Sequence, residues 1–90
     1  MVPVLAKFFR NFFPHFYEHV SSYDEAARMG LRDFSPDEKA ALAPLLDDLL
    51  GPRYSADDLV KLWESSPAEV DLANGEQIRA LLEATRKQIG

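Results

Sequence analysis

Apolar residues along this chain recur at steps of three and four, and no stretch alternates with the period of two that marks a strand. Leu5, Phe8, Phe9, Phe12, Phe13, Phe16, Tyr17 and Val20 make the first such stripe. Pro14 interrupts it, because proline lacks an N–H and its ring crowds the carbonyl of Arg10. The pattern predicts a helix over about residues 4–13, then a short second turn for which Pro14 is a good opening residue.

Capping residues announce the later helices. Ser22 with Glu25 is a capping-box spacing, and Tyr23, Ala26, Ala27, Gly30, Leu31 and Phe34 behind it predict one continuous apolar face. Gly30 costs that helix about 1 kcal/mol in propensity against alanine, which points to a neighbouring helix approaching closely there. Ser35-Pro36-Asp37-Glu38 combines an N-cap, a proline at the first helical position and a capping glutamate. Leu42, Leu45, Leu46, Leu49 and Leu50 form the stripe that follows, and Gly51-Pro52 ends it. Pro44 falls inside this helix and should kink it or leave a carbonyl unpaired. Ser55 and Asp58 open a fourth helix containing Leu59, Val60, Leu62 and Trp63. Ser66-Pro67-Ala68-Glu69 repeats the cap pattern with too few apolar residues behind it for more than a turn. Asn74 caps a last helix whose face is Ile78, Leu81, Leu82, Thr85 and Ile89. The expected fold is all-α, a single compact domain of four to five helices joined by short turns.

Composition narrows the function classes. Ninety residues allow one modest core. The formal net charge of −5 argues against nucleic-acid binding, which depends on neutralising phosphates. Without cysteine the chain has no disulfide, thiolate metal site or cysteine nucleophile. The start carries no basic stretch ahead of an apolar core, so it does not read as a signal peptide, and no window is long and apolar enough to span a bilayer. A cytoplasmic location is the expectation.

The one string with metal-site spacing is His15-Phe16-Tyr17-Glu18-His19. On a helix its two histidines would share a face and could hold zinc, with Glu18 as base. Such a site also needs a third ligand and a substrate cleft, and Phe16 and Tyr17 read as core anchors that leave the histidines on the flanks. The expectation is no metal and no cofactor. The glycines are scattered, the serines sit at caps and turns, and adjacent acids on a helix point in different directions. No catalytic residues are expected. The N-terminal aromatics could form a membrane-surface face, but only Lys7 and Arg10 supply basic charge there, and core is the expected reading.

Charge is unevenly spread. Between residues 47 and 76, Asp47, Asp48, Asp57, Asp58, Glu64, Glu69, Asp71 and Glu76 face only Arg53 and Lys61. The bland reading is a solvated surface, to which Asp57 and Asp58 add a favourable interaction with a helix start. The functional reading is a surface that steers onto a basic protein partner through Asp47, Asp48, Asp57, Asp58, Glu64, Glu69 and Asp71. Trp63 reads as a core or core-rim residue, and as an apolar anchor of that surface if part of it is exposed.

The order of these features is itself informative. An aromatic N-terminus precedes Tyr23-Asp24-Glu25-Ala26-Ala27, then Ser35-Pro36-Asp37-Glu38 leads into Leu45-Leu46-Asp47-Asp48-Leu49-Leu50. Ser55-Ala56-Asp57-Asp58-Leu59-Val60-Lys61-Leu62-Trp63 and Ile78-Arg79-Ala80-Leu81-Leu82-Glu83-Ala84-Thr85-Arg86 follow. Over nearly the whole chain this resembles the small helical immunity proteins of bacterial contact-dependent growth inhibition systems. The resemblance implies a cytoplasmic protein that binds a cognate toxin domain, often a nuclease, and blocks it; a non-catalytic protein, monomeric when free, is the expectation. A rival expectation is a helical adaptor that docks on a host protein through an exposed apolar groove.

Overall fold

Caps and apolar stripes become five α-helices in the computed structural model, which describes residues 2–14, 16–69 and 74–89, with Tyr17 by its backbone alone. They are α1 (Pro3–Arg10), α2 (Tyr23–Leu31), α3 (Pro36–Leu49), α4 (Ala56–Ser65) and α5 (Gly75–Ile89), with a 3-10 turn at Phe16–His19 between α1 and α2. The described residues contain no strand, and the fold is a single all-α domain. None of these helices is long and apolar enough to cross a membrane.

Most helix starts follow the predicted chemistry. Ser35 and Glu38 form a reciprocal capping box on α3, and Ser55 and Asp58 form another on α4. Asn74 Oδ1 accepts from the Gln77 N–H at 2.9 Å and caps α5. At α2 the box is altered. Ser22 Oγ accepts from the Glu25 N–H, while the Glu25 carboxylate reaches one residue further back, to the N–H and hydroxyl of Ser21.

α1 ends three residues earlier than its stripe predicts. The N–H groups of Asn11 and Phe12 bond to the Phe8 and Phe9 carbonyls, which tightens the chain, and the Asn11 side chain is claimed elsewhere. Its Nδ2 donates at 2.8 Å to both the Gly30 carbonyl and Asp33 Oδ1, tying the end of α1 to that of α2. The second turn starts at Phe16 rather than Pro14. Pro44 does not break α3, which runs through it. Ala40, whose carbonyl loses its usual donor, lies on the exposed side, open to water.

The centre is aromatic and leucine-rich. Phe8, Phe9, Phe12, Leu42, Leu46, Leu59, Ile78 and Leu82 have no more than 1% of their surface exposed, and burying each such side chain stabilises by about 1.5–3 kcal/mol. Phe12 stacks edge-on against Phe8 and Phe16, so four rings of the N-terminal stripe are core and not a membrane face. α5 runs through the middle and packs on α2, α3 and α4, while α1 packs on α2 and α3. Gly30 makes room for this packing: a side chain there would overlap the Phe8 ring and meet Phe12 Cζ at 3.0 Å. Tyr23 departs from the predicted face of α2 and stays 44% exposed.

Candidate interaction surface

The acidic residues that the sequence groups together are dispersed by the fold. Asp47 and Asp48 occupy the last turn of α3, where a helix is electronegative and carboxylates are disfavoured. Arginines offset this. Arg86 Nε, from α5, donates to Asp47 Oδ1 at 2.8 Å, and Arg53 donates to Asp48 Oδ1 at 3.1 Å. Arg79, also on α5, reaches the Leu50 carbonyl at 3.4 Å and the Tyr54 carbonyl at 3.0 Å, fastening the α3–α4 turn. Both carboxylates are therefore already matched inside the chain.

Asp58 is likewise occupied. Its carboxylate accepts from the Ser55 N–H at 3.0 Å, and that bond, with the Ser55 hydroxyl next and Lys61 adding a smaller attraction, holds its pKa below the ordinary 3.8. The start of α5 presses against the start of α4. A side chain at Gly75 would occupy the space of the Ala56 backbone. Two electropositive helix ends thus meet, and Asp57, Asp58 and Glu76, all in first turns, supply the compensating negative charge.

Asp57 and Glu64 on α4, and Glu69 after it, are exposed like Asp47, Asp48 and Asp58, but their carboxylates make no hydrogen bond or ion pair among the described residues. Asp57, Lys61 and Glu64 recur at helical spacing on one exposed stripe, with the lysine between the acids. Asp71 lies outside the described residues. Trp63 is not on the surface. It is 3% exposed, edge-on to Phe9 with ring centroids 5.2 Å apart and 5.5 Å from Phe12, so it holds α4 to α1 and cannot anchor a partner. The Ser66-Pro67-Ala68-Glu69 pattern starts no helix. The Ser66 hydroxyl instead donates to the Trp63 carbonyl at 2.6 Å and closes α4, and the Glu69 N–H reaches the Phe12 carbonyl.

Two apolar clefts open at the surface. One, of about 430 Å³, lies between the starts of α2 and α5, with Val20, Tyr23, Ala26 and Leu81 among its walls. The other, of about 570 Å³, lies between α1, α3 and α4, walled by Val2, Leu45, Tyr54 and Leu62, with Asp48 at its edge. Val2 and Tyr23 are the large apolar residues exposed among those described, and they belong to different clefts. His15 of the histidine string lies outside the described residues. His19 is exposed at the end of the 3-10 turn, with its ring centroid 5.7 Å from that of Phe13. The described residues hold no group of three or more His, Cys, Asp or Glu that could bind a metal ion.

Sequence reasoning found the carboxylates but not their partners. Arg53, Arg79 and Arg86 carry no capping signal, and Asp47 lies 39 positions from Arg86. Comparison with protein-family models, with curated proteins and with solved structures gave no match to the chain.

Proposed function

We propose that this domain is a non-catalytic immunity protein that neutralises a basic toxin domain by stoichiometric binding. The observation that carries the reading is the exposure of Asp57, Glu64 and Glu69, which leave the surface of α4 and the segment after it with more negative than positive charge. Such carboxylates raise the association rate with a cationic partner before contact, and pair with its Lys and Arg side chains once docked. The resemblance of the chain to contact-dependent growth inhibition immunity proteins supplies the class of partner. Asp47, Asp48 and Asp58 contribute to the long-range field, but their short-range bonding is already committed within the chain. The adaptor reading calls for one continuous apolar patch, whereas Val2 and Tyr23 are divided between two clefts.

The test is co-expression with the C-terminal domain of a secreted effector encoded beside this gene. Protection of the host cell and an equimolar complex on size exclusion support the reading. Continued toxicity, with no complex formed by the folded protein, contradicts it.

A further inference from the structure

Asn74 is followed by Gly75, and an asparagine before glycine is chemically labile because no side chain shields the glycine nitrogen. In the reaction the Gly75 nitrogen gives up its proton to solvent base and bonds to Asn74 Cγ. The Cγ–Nδ2 bond breaks, ammonia leaves, and a five-membered succinimide remains. Water then opens the ring at either carbonyl, giving aspartate or isoaspartate.

Exposure alone would make Asn74 reactive at all times, since its side chain is open to solvent. Two contacts oppose this. Asn74 Oδ1 accepts the Gln77 N–H at 2.9 Å, so the side chain must leave its capping position before Cγ can approach Gly75. Gly75 itself is buried with its backbone against that of Ala56, which blocks the rotation that ring closure requires. We propose that Asn74 is a spontaneous deamidation site whose reactivity is gated by opening of the first turn of α5 and its release from α4.

The two products differ in what the fold can accept. Aspartate caps a helix as well as asparagine and adds a negative charge beside two electropositive helix starts. Isoaspartate inserts a carbon into the backbone next to the Gly75–Ala56 contact, where no space exists for it. Deamidation to aspartate therefore leaves the domain folded and more acidic, while isoaspartate accumulates in molecules whose α5 start has come undone.

The experiment incubates the full chain in mildly alkaline buffer, folded and in guanidinium, and follows deamidation at Asn74 by peptide mapping with mass spectrometry. The folded rate is expected to be at least about tenfold below the unfolded one, because reaction then waits on local opening. Gln77→Pro removes the capping N–H and should raise the folded rate severalfold. Should that variant misfold, the wild-type rate at sub-denaturing guanidinium must rise together with hydrogen exchange at the Gln77 amide. Equal folded and unfolded rates would overturn the proposal. So would a Gln77→Pro rate equal to wild type, or deamidation that does not follow Gln77 exchange.

Discussion

Arg86 Nε meets Asp47 Oδ1 at 2.8 Å, joining α5 to the last turn of α3 and matching a carboxylate that the charge pattern alone assigns to a partner. The pair is partly exposed, so its net worth is small, about 0.2–1 kcal/mol. Asp47→Asn should accordingly lower stability by less than about 1 kcal/mol in urea titration and change toxin association less than Glu64→Gln does. A larger effect of Asp47 on the association rate would show that Arg86 yields it to the partner.

Gly75 and Gly30 set how closely helices approach. Alanine at Gly30, within α2, improves intrinsic helix propensity by about 1 kcal/mol, yet alanine at either position should destabilise, because overpacking costs about 1–3 kcal/mol and more against backbone. Gly75→Ala should be the worse of the two, since its obstacle is the Ala56 backbone, whereas at Gly30 the obstacles are side chains, the Phe8 and Phe12 rings. Thermal and urea unfolding of the two variants measure this. A stabilised Gly75→Ala would mean that α4 and α5 do not meet as described.

Trp63→Ala should cost about 3–5 kcal/mol and Leu46→Ala about 2–5 kcal/mol, each by leaving a cavity among buried neighbours. If Trp63→Ala instead left stability intact and weakened partner binding, the indole would have to be a surface anchor. Intrinsic fluorescence gives an independent check: the buried indole should emit to the blue and resist quenching by iodide.

Acid should weaken the helix caps together. Glu25 sits below its ordinary pKa of 4.5 chiefly through the Ser21 N–H. Glu38 does so through Lys7 first and then the Ser35 N–H, and Asp58 sits below its ordinary 3.8 through the Ser55 N–H. Each group is more acidic folded than unfolded, so its stabilisation is complete above the unfolded value and disappears as pH falls through the folded one. The urea midpoint should hold steady from neutrality to about pH 5 and decline steadily below that. Ser35→Ala should lower the unfolding free energy at neutral pH by about 0.5–2 kcal/mol, and leave the acid decline in place, because alanine keeps the backbone N–H that bonds the Glu38 carboxylate. A midpoint rising on acidification would contradict the capping account.

Local chemistry made most of the fold legible, and long-range pairing hid most of the site. Ser35 with Glu38, and Ser55 with Asp58, lie three positions apart, so their reciprocal bonds are written in the sequence. The leucine stripe of α3 and the aromatic stripe of α1 follow directly from helical periodicity. The end of α1 was hidden because Asn11 bonds to Gly30 and Asp33, about twenty positions on. The exposure of Tyr23 was hidden because only the packing of α5 decides which flank of α2 is covered. The same holds for charge: a count along the chain registers Asp47 and Asp48 as surplus, while Arg86 and Arg53 match them in space.

The central claim is that carboxylates on and after α4 speed capture of a basic toxin domain, and stopped-flow association with that domain tests it most directly. The wild-type rate should fall steeply with added salt. The Asp57→Asn, Glu64→Gln and Glu69→Gln triple variant, which removes no carboxylate bonded within the chain, should associate several-fold more slowly at low ionic strength and show a shallower salt dependence. Its circular dichroism should match that of the wild type. If the folded triple variant binds at the wild-type rate in low salt, these carboxylates only solvate the protein, and the account of how it captures its partner is wrong.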